Sequence, residues 1–220
     1  MRKIFFVITV FLSIAIAGSA QDNRPFWNEI KAFKKLDSIN MPPTGGILFI
    51  GSSSFRKWTS IQQDFKGYKI INRGFGGSVF PDIIGYVDDI VKPYHPAQVV
   101  IYCGDNDLAF SNTVTPNLVK QRFIELFNAI RKIYPKSKIL FVSIKPSPSR
   151  KKLLPAIEES NKLIKDFLDS QKNTAYADVF HPMMSGTSPM GELFTNDSLH
   201  MNEKGYAIWT RVIQPFLIKK

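Results

Sequence analysis

Short apolar runs alternate with amphipathic stretches along most of this chain. GILFI (46–50), YKIINRG (68–74), AQVVIYC (97–103), KILFVSI (138–144) and TAYADVF (174–180) read as five strands. Their mostly continuous apolar character is that of strands covered on both faces, as in a parallel sheet between helices. FRKWTSIQQDF (55–65), PDIIGYVDDIV (81–91), PNLVKQRFIELFNAIRKIY (116–134), KKLLPAIEESNKLIKDFLDS (151–170) and NEKGYAIWTRVIQPFLI (202–218) read as the helices between and after them. A further helix, WNEIKAFKKLDSI (27–39), comes first and is broken by MPPTGG (41–46). The helix over 116–134 shows the periodicity most clearly. Val119, Phe123, Leu126, Phe127, Ile130 and Ile133 share one face, and Gln121, Glu125, Asn128 and Lys132 the other. Strand and helix alternating over five units predict an α/β fold, a three-layer α/β/α sandwich around a five-stranded parallel sheet.

The first 20 residues stand apart. Arg2 and Lys3 precede an uncharged apolar run that ends in Gly18, Ser19 and Ala20. This is the layout of a signal peptide, removed after Ala20. The expectation is residues 1–20 as a signal and 21–220 as one domain, exported to the periplasm or secreted. The apolar run is short for a bilayer span, which takes about 20 residues, so no stable membrane anchor is expected, and Gln21, not a cysteine, stands directly after the cut.

The formal net charge of +11 would suit a polyanionic partner, but the basic residues are scattered and read as a solvated surface. No nucleic-acid partner is expected. Cys103 is the one cysteine, which excludes an internal disulfide, and its place in VVIYC suits a small buried side chain. His95, His181 and His200 have no metal-ligand spacing, so neither a metal nor another cofactor is expected.

In an open parallel sheet, ligands bind beyond the carboxyl ends of the strands. Four polar or glycine-rich clusters fall there: Gly51-Ser52-Ser53-Ser54, Asn72 to Ser78, Gly104-Asp105-Asn106-Asp107, and Asn196 to His200 beyond the fifth strand. Together they contain what acyl transfer needs. A serine at a strand-to-helix turn exposes its hydroxyl, and a histidine held by a carboxylate can take the proton. Asp197 and His200 are three residues apart, within one turn. Gly77 can offer an unobstructed N–H, and Asn106 an amide NH₂, to a developing oxyanion. Taken singly, each cluster also has a plain structural reading: a helix cap for the serines, a tight turn for Phe75-Gly76-Gly77, a cation loop or turn for 104–107.

The segments ILFIGSSS, NRGFGGS, YCGDND and NDSLHMNEKGY resemble the four blocks of the SGNH (GDSL-type) hydrolase family, in that family's order and over most of the chain after residue 20. The resemblance implies Ser53 as nucleophile, Asp197 and His200 as its triad partners, and the N–H groups of Ser53 and Gly77 with Asn106 as the oxyanion hole. Ser52 and Ser54 are the competing assignments for the nucleophile. The family's usual Gly-Asp-Ser is Gly51-Ser52-Ser53 here. No Gly-x-Ser-x-Gly occurs, which argues against an ordinary α/β-hydrolase.

The expected activity is that of an exported serine esterase acting on short-chain acyl esters, O-acetyl above all, with a small-molecule or carbohydrate ester as substrate. Lysophospholipase or thioesterase activity on longer chains is the rival within the class, and a non-catalytic glycan-binding protein on the same scaffold is the rival outside it. A flavodoxin-like cofactor binder is a third reading. His181 is expected to satisfy a loop. Lys145 to Arg150 (KPSPSR) suits a contact with an anionic or sugar substrate and a rigid connector equally. Asp105 and Asp107 are expected to shape the turn that holds Asn106. The oligomeric state is left open.

Overall fold

A computed structural model of the chain describes residues 23–219; the signal-peptide reading lies outside the described residues. Helix α1 (Trp27–Ile39) leads into strand β1 (Ile47–Gly51). Helices α2 (Ser53–Arg56) and α3 (Ile61–Asp64) separate β1 from β2 (Ile70–Gly74). Helices α4 (Phe80–Gly85) and α5 (Val87–Ile90) precede β3 (Gln98–Tyr102), followed by α6 (Asp105–Phe110) and α7 (Pro116–Ile133). Strand β4 (Lys138–Val142), helix α8 (Leu154–Asp169), β5 (Thr174–Ala177) and α9 (Glu203–Ile213) complete the order.

The five strands form one parallel sheet in the order β2-β1-β3-β4-β5. This is the expected three-layer α/β architecture with the flavodoxin-like order. Alternate residues of each strand serve two separate cores, because side chains point to opposite faces with period 2. Leu48, Ile50, Val99, Ile101, Ile139 and Phe141 pack under α4, α7 and α8. Ile47, Phe49, Val100, Tyr102, Leu140 and Val142 pack with Phe55, Trp58, Phe65, Trp209 and Ile213. The order reverses between β1 and β3, and at that switch point the outgoing connections part to opposite faces and leave a crevice.

The sequence pattern overextended several helices. The stretch 55–65 is two short helices, because Trp58 leaves the helical path to enter the second core, where its indole N–H donates to Asp64 at 2.6 Å. The stretch 81–91 breaks at Tyr86, a buried side chain whose hydroxyl donates to the Pro25 carbonyl at 2.6 Å. In both, one aromatic side chain that must be buried outweighs continuous helical periodicity. The helix expected from Lys151 is regular only from Leu154, after a 3₁₀ turn over Pro148–Leu153. The fifth strand stops at Ala177, where the Asp178 carboxylate turns the chain by accepting the Phe180 and His181 N–H groups.

Candidate active site

The connection from β1 to α2 is tight. Gly51 lies at φ 146°, and a Cβ there would sit 1.9 Å from the Tyr102 carbonyl oxygen on the neighbouring strand. Only glycine fits that approach. The turn it permits puts Ser53 at the first position of α2, where a backbone N–H has no intrahelical acceptor. Two polar contacts fix α2 in place: Asn72 Nδ2 donates to the Phe55 carbonyl at 2.8 Å, and the Tyr206 hydroxyl to that of Ser54 at 2.9 Å. Ser52 and Ser54 are buried, whereas Ser53 is partly exposed.

On the opposite side of the site, Thr195 to His200 form a compact turn ahead of α9. Asp197 Oδ1 accepts the Leu199 and His200 N–H groups and the Thr195 hydroxyl, each at 2.9 Å. Asp197 Oδ2 lies 2.5 Å from His200 Nδ1. Ser198 takes a left-handed backbone at φ 56°, and its carbonyl accepts the Ser149 N–H at 3.0 Å. Immediately beyond, Asn202 caps α9 by accepting the Lys204 and Gly205 N–H groups. His200 Nε2 is 3.0 Å from Ser53 Oγ. A carboxylate only accepts, so Nδ1 carries the proton and the Nε2 lone pair faces the hydroxyl. Partial burial works against charge on Asp197, but the His200 ring, the two N–H donors and Thr195 outweigh it. Its carboxyl is held well below the usual range.

Gly77 and Asn106 are neighbours: a Cβ on Gly77 would stand 3.7 Å from Asn106 Nδ2. Asn106 Nδ2 donates to the Ser78 carbonyl at 3.2 Å, and Asn106 Oδ1 accepts from Arg150 Nη2 at 2.7 Å. Beneath it, Asp105 Oδ2 is 3.1 Å from both Lys145 Nζ and Arg150 Nη1. Burial opposes the charge of Asp105, yet the two cations hold its carboxyl below the ordinary value. Asp107 faces the other way. It accepts the Phe80 N–H and pairs with Arg122 at 2.8 Å, and burial pushes its carboxyl up. Both aspartates therefore shape the turn around Asn106.

All four sequence clusters meet at one end of the sheet. Ser53, His200 and Asp197 are joined in a single hydrogen-bonded row, while Gly77 and Asn106 lie together. His181 stands outside this row; its Nδ1 is 2.6 Å from Asp178 Oδ2 in an exposed turn, the satisfied-loop role expected of it. Cys103 is buried, its thiol donating to the Ser78 carbonyl at 3.6 Å. Lys145 is fully buried against Asp105, so the reading of this lysine as a substrate contact is corrected: it belongs to the support of the Asn106 turn. Two residues support the site in a way that the sequence does not reveal: Arg150, read only as part of the Lys145 to Arg150 segment, and Glu29, not singled out. Glu29 Oε2 accepts the Gly76 N–H at 3.2 Å and pairs with Arg56 Nε at 2.8 Å.

A model of the GDSL-like lipase/acylhydrolase family matches residues 46–208, well over half of the chain. No curated protein matches the chain. Among solved structures, a GDSL-like lipase from Bacteroides thetaiotaomicron is 20% identical with a TM-score of 0.71, covering 85% of this chain and 96% of that one. A carbohydrate esterase family 3 protein from Talaromyces cellulolyticus is 17% identical with a TM-score of 0.62, covering 79% and 96%. The lipase/acylhydrolase from Enterococcus faecalis is 20% identical with a TM-score of 0.59, covering 80% and 99%. At these identities the structural likeness concerns the fold, and the family rests on the matched model. With that model spanning 46–208, and so including Ser53, Gly77, Asn106, Asp197 and His200, this chain belongs to the GDSL-like lipase/acylhydrolase family of ester-bond hydrolases.

Proposed function

We propose that this protein is an exported serine esterase that removes short acyl groups, O-acetyl above all, from a carbohydrate or small-molecule alcohol. The observation that carries the serine mechanism is the row Asp197 Oδ2–His200 Nδ1 at 2.5 Å and His200 Nε2–Ser53 Oγ at 3.0 Å. Ser53 Oγ attacks the ester carbonyl as its proton passes to His200 Nε2. The carbonyl oxygen becomes an oxyanion held by the Ser53 and Gly77 N–H groups and by Asn106 Nδ2. Collapse of the tetrahedral intermediate breaks the bond to the alcohol, which leaves with the proton from His200. Water then attacks the acyl-serine and gives its proton to His200, and release of the carboxylic acid returns that proton to Ser53.

A short acyl group is supported by the likeness to the fold of an acetyl esterase. The carbohydrate side rests on the likeness to a carbohydrate esterase fold. Export rests on residues 1–20 alone, and N-terminal sequencing of the secreted protein starting at Gln21 would support it.

The test is hydrolysis of p-nitrophenyl acetate by the protein beside its Ser53→Ala variant, followed by acetylated sugars against longer acyl chains. Turnover is expected to fall by several orders of magnitude in the variant, roughly 10³-fold or more, and to favour acetyl. Equal turnover in both proteins would remove Ser53 as nucleophile. A preference for long chains would move the assignment to lysophospholipase or thioesterase. Glycan binding without any ester turnover would make the protein a binding module.

A further inference from the structure

The segment between β4 and α8 touches both halves of the site. Ser149 N–H holds the Ser198 carbonyl inside the Asp197–His200 turn, and the next residue, Arg150, reaches Asn106. A side-chain amide is useful to an oxyanion only if its NH₂ end faces the reacting oxygen, and two neighbours of fixed polarity decide that here. A guanidinium has donors only, so the Asn106 atom 2.7 Å from Arg150 Nη2 must be the carbonyl oxygen. A backbone carbonyl accepts only, so the atom 3.2 Å from the Ser78 oxygen must be the amide nitrogen. One Nδ2 hydrogen is thereby spent on Ser78, and the other remains beside Gly77.

Arg150 is itself held. Its side chain is 14% exposed, and Nη1 rests 3.1 Å from the buried Asp105 carboxylate, which Lys145 also neutralises. The planar fork sets Nη1 in ion-pair contact with Asp105, without hydrogen-bond alignment, while Nη2 donates to Asn106; a single ammonium does not reach both. A cation donating to Oδ1 also draws electron density from the amide and strengthens its N–H as a donor. That gain grows as negative charge builds on the reacting oxygen, so it acts on the transition state more than on bound substrate.

We propose that Arg150 is a positioning residue for acyl transfer, setting the direction and donor strength of the Asn106 amide from behind the oxyanion hole. This rests on the serine-esterase reading, with Asn106 as an oxyanion donor. The effect should appear in kcat, with KM little changed, because Arg150 acts through Asn106.

The test is a double-mutant cycle on p-nitrophenyl acetate hydrolysis with R150M, N106A and the pair, melting temperatures measured alongside. R150M is expected to lower kcat by about 10–100-fold, less than or equal to the loss from N106A. In the N106A background the same change should cost little further. R150K guards against a misfolded R150M. It keeps a cation beside Asp105, so it should melt near the parent while losing about 10-fold in kcat for want of the fork. Equal losses from R150M with and without Asn106, or an unchanged kcat in well-folded R150M and R150K, would overturn the proposal. So would an N106A variant as active as the parent. Failure of the esterase reading itself would show separately, as turnover that survives Ser53→Ala.

Discussion

Glu29 accepts the Gly76 N–H at 3.2 Å, one residue before the Gly77 amide, while the same carboxylate oxygen pairs with Arg56 on the helix that begins at Ser53. Glu29 lies on α1, outside the segment matched by the family model. It therefore joins the helix that begins at Ser53 to the glycine loop from outside the matched segment. Phe26 reinforces the link, because its ring fills the space that a Cβ on Gly76 would need. Removing the carboxylate in Glu29→Ala should loosen the Gly77 amide and lower kcat by about 3–10-fold, a fraction of what a whole donor is worth. KM should be little changed. Steady-state kinetics of this variant with a short ester checks it; an unchanged kcat would show that the loop holds its place without α1.

Replacing the third member of the row tests the orientation of His200. Asp197→Asn keeps the shape of the turn but puts an amide where a carboxylate fixed the Nδ1–H tautomer. A fall in kcat of roughly 10²–10⁴-fold is expected. Stability should change little by comparison, since the side chain is substantially exposed. Parallel measurement of kcat and of the urea midpoint separates the two effects.

The buried Asp105 predicts a particular acid sensitivity. Its carboxyl has a lower pKa in the folded protein than the ordinary value of about 3.9 in an unfolded chain. As pH falls, the unfolded chain therefore takes up the proton first, and the folded state loses relative stability. The contribution is present in full above about pH 4 and is lost progressively below it. Urea midpoints at pH 7, 5, 4 and 3 should drop more steeply between pH 5 and 3 for the parent than for Asp105→Asn. Parallel curves would mean that other carboxylates dominate the acid limb.

Gly51 should tolerate no side chain. Its φ of 146° and the 1.9 Å approach of a Cβ to the Tyr102 oxygen oppose alanine together. The clash is with backbone, which has no rotamer to yield. Gly51→Ala is expected to cost at least about 2 kcal/mol of stability and to shift Ser53, two residues on. Denaturant unfolding and esterase activity of the same preparation would check both.

Local sequence pattern sets the sheet and brings forward the clusters of candidate site residues. Strands buried on both faces are written as continuous apolar runs, so β1 to β4 were legible, and their alternation with amphipathic helices left little choice but a parallel α/β sheet. Ser53, Gly77, Asn106, Asp197 and His200 stand out as candidates because their clusters follow strands and resemble the family's blocks in order, and parallel strands bring all their carboxyl ends to one edge. Tertiary packing turns Ser53, of three adjacent serines, toward His200 and buries Ser52 and Ser54 on the turn after Gly51. It also decided where the helices break, at Trp58 and Tyr86, because the burial of one aromatic ring depends on what waits opposite it. The supports at Glu29, Lys145 and Arg150 were hidden for a related reason. A polar pair formed across dozens of residues leaves no periodicity in either partner, and a charged side chain in a loop reads as solvated until the fold surrounds it.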